Sequence, residues 1–321
     1  MTTRRTVLGV MAAGLTGLAL TGAIAAPSSL QIFVPAAPGG GWDQTARSME
    51  NALRTDGIVK EFRIEHKGGA GGTVGLPLFV STKKGQDNAI MVGGMVMVGA
   101  IIANNSPVTL KDVVPIARLT GEAQVVVVPA ESPFKTMKDL TDALKADPGK
   151  VSFAGGSAGG TDHILAGLIA KSVGVDARKV AYVAYAGGGP AQAALLGNQV
   201  SAGVSGYGEF AEQVKAGKLR ALAISADKRI PGIDVPTLKE QGIDVVLFNW
   251  RGVFAAPGIN DAQKKALTDV IEKMANGPTW KKELETKDWT PILLTGDAFA
   301  KFLDEDIARV TAMLTDLGLK K

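Results

Sequence analysis

Pro35-Ala-Ala-Pro38-Gly-Gly-Gly-Trp42-Asp43 follows the apolar stretch 30–34 and precedes a segment whose apolar residues have helical spacing. The same order of apolar stretch, glycine cluster and helix-like pattern recurs at residues 153–163 and 185–190. Each copy predicts a strand, a loop and a helix N-terminus. The first turn of a helix has unpaired backbone N–H groups and partial positive charge, so these three loops predict the binding of an anion.

Strands that alternate with helices indicate an α/β fold with parallel pairing. The length of 321 residues favours two domains, and 46% hydrophobic residues are enough for a sizeable core. We predict a discontinuous first domain formed by residues 26–122 and 226–321, with a second domain, residues 123–225, inserted into it. The two crossovers between them, near residues 122–125 and 223–226, are the predicted hinge.

Residues 1–25 have the features of an export signal. Arginines at positions 4 and 5 precede an apolar segment that reaches residue 24, and Ala23-Ile-Ala25 is a small-residue cleavage pattern. A membrane anchor is the alternative, because the apolar segment approaches spanning length. Thr3-Arg4-Arg5 is also similar to a twin-arginine signal, so secretory and twin-arginine export both stay open. We expect a periplasmic protein.

The charge and the rare residue types exclude several classes of function. Removal of residues 1–25 takes away two arginines and no acid, so the formal charge falls from +4 to +2. This small charge, without a basic run interleaved with aromatic residues, argues against a nucleic-acid partner. Cysteine is absent, which excludes disulfides and thiolate chemistry. Two distant histidines, without clustered carboxylates, give no metal-ligand set.

Two of the glycine-rich segments partly match enzyme motifs. Gly155-Gly-Ser157-Ala-Gly159 fits the Gly-x-Ser-x-Gly pattern of a hydrolase nucleophile, but His163 on the following helix is badly placed as its base. In residues 68–75 a valine, Val74, stands where a dinucleotide-binding loop needs its third glycine. No Gly-Lys-Ser/Thr follows any glycine cluster. We therefore predict binding without catalysis and without a cofactor.

Polar and aromatic residues in these loops have two interpretations each. Asp43 is expected mainly to cap the helix, and Trp42 either faces the ligand or packs in the core. Ser157 and Thr161 are predicted hydroxyl donors and helix caps around an anion. His163 is expected to be a helix residue with a satisfied ring, with contact to the ligand as the alternative.

Five sequence motifs, spread over nearly the whole mature chain, occur in the same order as in a known family. They are residues 34–43, Gly69-Ala-Gly-Gly-Thr73, residues 155–163, Gly203-Val-Ser-Gly-Tyr-Gly-Glu209 and Asn249-Trp-Arg251. Together they resemble the substrate-binding receptors of tripartite tricarboxylate transporters, also called Bug proteins. The Gly-Gly-Trp-Asp form is similar to the tricarboxylate-receptor branch.

The resemblance implies a two-lobe periplasmic-binding-protein fold of type II, in which each lobe has a mixed, mostly parallel sheet flanked by helices. It implies a receptor, not an enzyme, that closes on a small di- or tricarboxylate such as citrate and delivers it to the membrane permease subunits. We expect the receptor to be a monomer. Carried over residue by residue, the implied ligand-binding residues on one lobe are Gly39, Gly40, Gly41, Trp42 and Asp43. On the other lobe they are Ser157, Gly160, Thr161 and Ser205, and Asn249 and Trp250 are further cleft-lining candidates.

Two alternatives stay open. A secreted serine hydrolase would use Ser157 as its nucleophile. A carboxylate sensor for a signalling partner would use the same binding fold without a transporter.

Overall fold

The structure is a computed structural model that describes residues 27–320. The predicted export signal, residues 1–25, lies outside these described residues. Between residues 27 and 320, no helix is both long enough and apolar enough to cross a bilayer.

Strands and helices alternate along most of the chain, as the repeated strand and helix patterns predict. The strands are β1 (Ser29–Val34), β2 (Glu61–His66), β3 (Ala89–Gly94), β4 (Val114–Pro129), β5 (Ser152–Gly155), β6 (Ala181–Ala184), β7 (Ala202–Gly206), β8 (Leu219–Ile224), β9 (Phe248–Ala255) and β10 (Thr290–Thr295). The helices are α1 (Gly41–Thr55), α2 (Gly75–Thr82), α3 (Met95–Ala103), α4 (Met137–Ala146), α5 (Thr161–Ser172), α6 (Gly188–Leu196), α7 (Tyr207–Lys215), α8 (Asp261–Asn276), α9 (Pro278–Thr286) and α10 (Gly296–Asp316).

The long strand β4 joins two groups of strands. Its first part pairs antiparallel with β9 and β10, and its last part pairs antiparallel with β7 and β8. On one side the strand order continues from β9 to β3, β1 and β2, with β1 parallel to both of its neighbours. On the other side β5 lies parallel to both β7 and β6. We call these the first lobe (β1–β3, β9, β10) and the second lobe (β5–β8), with β4 running through both.

The valine run in β4 explains why this strand can serve both lobes. Val125 and Val127 pack in a smaller apolar cluster, whereas Val126 and Val128 pack in the large one. Successive side chains of a strand point to opposite faces of the sheet, so both faces of β4 are buried. The sequence pattern of consecutive valines predicts a strand of this kind.

The two predicted crossovers lie side by side. Ser225 donates its backbone N–H to the Gln124 carbonyl at 2.8 Å, and the Gln124 N–H donates to the Ser225 hydroxyl oxygen at 2.8 Å. The Ser225 hydroxyl in turn donates to the Leu247 carbonyl at 2.6 Å. These bonds connect the chain segments that pass between the lobes. The boundaries at 122/123 and 225/226, and the hinge itself, stay predictions, because β4 crosses the first boundary as one continuous strand.

Candidate functional site

A cavity that is partly open to solvent lies where loops of the two lobes meet. The loops follow the carboxyl ends of β1, β5, β6 and β7, which is where ligands bind in open α/β sheets. The lining residues are Pro35, Ala36, Gly40, Gly41, Trp42, Gly69, Gly71, Val96, Gly156, Ser157, Asp162, Ala186, Gly187, Gly188, Ser205, Glu209, Asn249 and Arg251. All three glycine clusters quoted from the sequence contribute to this wall.

In the first loop, Asp43 holds the backbone rather than reaching the cavity. Its Oδ2 accepts a hydrogen bond from the Gly39 N–H at 2.9 Å, and its Oδ1 lies 2.7 Å from His66 Nε2. Burial raises the pKa of Asp43, but the bonds from Gly39, Arg47 and His66 together outweigh it and lower that pKa. Gly39, at φ +88°, forms the turn. Gly39 and Asp43 therefore shape the loop and, contrary to the expectation, do not line the cavity.

Gly40, Gly41 and Trp42, the rest of the predicted set in this loop, do line the cavity. Gly40 is the N-cap residue of α1, and Gly41 is its first helical residue. Backbone N–H groups in a first helical turn have no partner within the helix and favour an anion. Trp42 is 6% exposed and packs in the apolar core while it also lines the cavity, and its contact with the ligand stays a prediction.

Most glycine N–H groups of the second loop donate hydrogen bonds to residues of the same loop or of the first turn of α5. The Gly156 N–H donates to Asp162 Oδ2 at 2.6 Å, the Gly159 N–H to His163 Nδ1 at 3.1 Å, and the Gly160 N–H to the Ser157 carbonyl at 2.9 Å. Gly160 and Thr161 were expected at the ligand, but neither lines the cavity. Their position is structural, because Gly160 is the N-cap residue of α5 and Thr161 is completely buried. Ser157 does line the cavity.

His163 is a satisfied helix residue, as the sequence favours. Its ring stacks on Tyr182 with the ring centroids 4.2 Å apart, and burial lowers its pKa to about 4. The ring is therefore neutral near pH 7. Because Nδ1 accepts the Gly159 N–H, that nitrogen is not available to take a proton from Ser157.

On β9, side-chain alternation separates the two predicted residues. Asn249 and Arg251 face the cavity, while Trp250 between them faces the opposite side. The Trp250 indole donates to Asp306 Oδ2 at 2.8 Å and packs edge-on against Phe299 and Phe302. The expected cleft-lining position of Trp250 is therefore wrong. The same alternation, applied to the sequence, would have pointed to Arg251.

Arg251 is the cation of this wall. It is 1% exposed, forms an ion pair with Glu122 on β4, and places Nη2 3.6 Å from Glu209 Oε1. Three polar atoms of lining residues have no hydrogen-bond partner within residues 27–320: Asn249 Oδ1, Glu209 Oε2 and Arg251 Nη1. Buried polar atoms are nearly always hydrogen-bonded, so these three atoms are suited to contact a bound molecule.

The cavity wall also contains more acidic side chains than the binding of an anion requires. Burial raises the pKa of Asp162 to about 6, even though the Gly156 N–H and the Thr161 hydroxyl stabilise its charged form. With Glu122 and Glu209, three buried carboxyl groups surround the single Arg251. Glu209 ends the motif at residues 203–209, but it was not predicted as a site residue because helix α7, which carries it, did not stand out in the apolar pattern. Over residues 27–320, no group of side chains is suited to hold a metal ion.

A family model described as the tripartite tricarboxylate transporter family receptor matches residues 45–319 of this chain. The chain belongs to this receptor family. BugT of Bordetella pertussis is 28% identical over 315 residues, which are 94% of this chain and 95% of BugT. A solved structure described as a periplasmic transporter is 27% identical, with a TM-score of 0.81, and the match covers 91% of this chain and 98% of that one.

A third comparison concerns the fold. MatC from Rhodopseudomonas palustris, solved with bound malate, has a TM-score of 0.77 at 23% identity, covering 89% of this chain and 98% of MatC. These matches confirm the predicted α/β two-lobe binding-protein fold and the expected family. Since this is a family of solute receptors, the protein is a receptor and not an enzyme, and the hydrolase alternative built on Ser157 is wrong.

Proposed function

We propose that this receptor captures a small di- or tricarboxylate, citrate-like in size and charge, in the cavity between its lobes. The observation that carries the proposal is the meeting of two helix N-termini at one space. A Cβ atom built on Gly40, at the start of α1, would lie 3.8 Å from the backbone nitrogen of Gly188, the first residue of α6. Helix N-termini bind carboxylates through their free N–H groups and their dipoles.

The side chains around this space support a ligand with more than one polar end. Ser157 and Ser205 add hydroxyl groups from the second lobe, and Asn249 and Arg251 add an amide and a guanidinium group from the first. Each hydrogen bond to a charged group contributes about 1.5–3 kcal/mol. A few such bonds support binding near −8 kcal/mol, a dissociation constant of about one micromolar. A ligand held at this strength can still be released.

Delivery to a membrane permease is the second part of the proposal. The receptor family serves tripartite tricarboxylate transporters, and a receptor that delivers its ligand must be exported, which the sequence of residues 1–25 predicts. We propose that the mature protein works in the periplasm as a monomer and docks with the permease subunits when the lobes are closed.

Titration calorimetry on the mature chain with citrate, malate, succinate and adipate tests the ligand class. Heat of binding is expected with one or more of these acids and not with sugars or amines. Heat with sugars or amines alone would contradict the proposal.

A bulky residue at Gly40 tests the position of the site. The Gly40 backbone, at φ −82° and ψ 174°, suits any residue, and a Cβ there meets nothing nearer than 3.8 Å. A Gly40→Leu side chain therefore extends into the cavity without backbone strain. We expect loss of carboxylate binding with an almost unchanged melting temperature of the ligand-free protein. Unfolding of Gly40→Leu would instead give the loop a structural role.

A further inference from the structure

Glu209 is the cavity residue that fits an anion receptor least well. It lies in the first turn of α7, and its side chain is 9% exposed. The carboxyl group sits against the glycine clusters of both lobes, because a Cβ on Gly41 in the first lobe would be 2.8 Å from Oε1 and one on Gly188 in the second lobe would be 2.8 Å from Cδ. Any molecule in contact with the first turns of α1 and α6 therefore also reaches Glu209.

Charged groups on three other elements surround this carboxyl group. Arg251 on β9 is the favourable one, but its ion pair is with Glu122 on β4, and Glu209 Oε1 lies further away at 3.6 Å. Asp162 on α5 adds a second acid. If all three acids were ionised, the cluster with Arg251 would have a net charge of −2, from three negative charges and one positive charge. A carboxylate ligand would be repelled by this charge.

Burial is the largest effect on this side chain, and it raises the pKa of Glu209 to about 8. Arg251 lowers that pKa, while Glu122 and Asp162 raise it further. The Ser205 hydroxyl also lowers the pKa of Glu209, but less than Arg251 does. Glu209 Oε2 still has no hydrogen-bond partner among the described residues. The N-terminus of α6 favours the ionised form, but a carboxylate ligand at that helix start competes for the same N–H groups.

The geometry points to Glu209 as a ligand-binding residue that takes up a proton when the receptor holds a carboxylate and donates a hydrogen bond from its carboxyl group to the ligand. The proton comes from solvent, so one carboxylate and at most one proton enter the site together. This inference rests on the proposed function and adds to it that uptake of the ligand is coupled to uptake of a proton. It also gives the unpartnered Oε2 atom a role, since the protonated oxygen is a donor.

The coupling has a definite pH dependence. A group that binds its proton more tightly in the complex makes ligand affinity fall as pH rises through the pKa of the free receptor. With that pKa at about 8, affinity should change little between pH 6 and pH 7. It should fall about tenfold between pH 7 and pH 9, and about half a proton should be taken up per ligand at pH 8.

Calorimetry of the wild-type chain in two buffers of different ionisation enthalpy measures this proton uptake directly. The ligand is whichever panel carboxylate binds most tightly, titrated from pH 6 to pH 9. All carboxyl groups of malate, succinate and adipate are ionised over the upper part of this range, and a citrate titration is compared with the known ionisation of free citrate. Proton uptake near pH 8 is the expected result, and its absence overturns the inference.

Glu209→Gln is the informative variant, because a glutamine amide donates a hydrogen bond as the protonated acid does but cannot titrate. We expect it to bind at pH 7 within a few fold of wild type and to lose the decline between pH 7 and pH 9. Glu212→Gln is the matched control, since Glu212 lies on the same helix with its side chain 86% exposed. This control should keep the wild-type pH profile.

The outcomes separate this inference from the proposed function. If no carboxylate binds at any pH, the proposed function fails. If carboxylates bind with a flat pH profile, or if folded Glu209→Gln loses binding at pH 7, the function stands and the role of a protonated Glu209 is overturned. The second result would mean that the ionised carboxylate is needed as an acceptor.

Discussion

A methyl group at Gly41 should disable the site although the substitution is small. Gly41 is the first residue of α1, and a Cβ atom there would lie 2.7 Å from Arg251 Cζ and 2.8 Å from Glu209 Oε1. Gly40, its neighbour in the same loop, has no atom within 3.8 Å of its Cβ position. Gly41→Ala and Gly40→Ala therefore form a matched pair in which only one variant displaces Arg251.

The structure sets the size of the effect. Ordinary contacts begin at 3.4 Å, so the guanidinium group or the loop must move by at least 0.7 Å, the difference from 2.7 Å. Overpacking of this kind costs about 1–3 kcal/mol. Movement of Arg251 also weakens its buried pair with Glu122, and complete loss of such a pair costs about 3–5 kcal/mol. Displacement of Arg251 also removes its charged hydrogen bond to the ligand, which contributes about 1.5–3 kcal/mol, so carboxylate affinity should fall roughly tenfold or more.

Urea unfolding and titration calorimetry on the two variants measure both effects. Gly41→Ala should lose about 1–3 kcal/mol of unfolding free energy and at least tenfold in affinity, whereas Gly40→Ala should stay within about 0.5 kcal/mol of wild type. Equal behaviour of the two variants would refute the account of Arg251 as a tightly enclosed part of the binding wall.

Two further predictions concern closure of the lobes and the far face of β9. A Cβ on Gly99 of α3 would overlap the carbonyl of Gly159 in the second lobe, with the carbonyl carbon 3.1 Å away, so Gly99→Ala should weaken binding by hindering closure. Its melting temperature without ligand should be unchanged, and a large drop in that temperature would show that the contact serves folding instead. Trp250→Phe removes the hydrogen bond to Asp306 and should lower the unfolding free energy by about 1–2 kcal/mol, with the dissociation constant unchanged within about twofold. A tenfold change in carboxylate affinity with an unchanged unfolding free energy would show that Trp250 takes part in ligand binding.

The glycine loops were predictable because their pattern is local. A strand, a loop free of side chains and a helix start follow directly in sequence, and the structure places β1, the Gly40 turn and α1 in that order. The α/β class follows from the same repetition of strand and helix patterns, whereas the two-lobe arrangement follows from the family resemblance.

The acid and the cation of the site were harder to predict. Glu209 and Arg251 belong to segments far apart in the sequence, and they meet only because β4 pairs with β7 and β9. Burial of a charged side chain depends on this tertiary arrangement, which residue type alone does not reveal. Helices α7 and α9 were not predicted, since their apolar residues are mixed with charges. Strand β10 was not predicted, because its apolar run, Ile292-Leu293-Leu294, is short.

The sequence also predicted more free backbone N–H donors for the ligand than the structure provides. Gly39, Gly156, Gly159 and Gly160 each donate their N–H to a neighbouring acceptor inside the loops. The donors expected for the ligand are therefore fewer, and they lie at the starts of α1 and α6 rather than along each glycine cluster.

A crystal structure of the mature receptor with its tightest carboxylate shows whether the ligand binds at the two helix starts. We expect one carboxyl group within hydrogen-bond distance of the backbone N–H groups at Gly41 or Gly188, with the ligand enclosed between the lobes. A carboxylate found outside this cavity, or one held within it only by side chains remote from both helix starts, would show that α1 and α6 do not form the binding site.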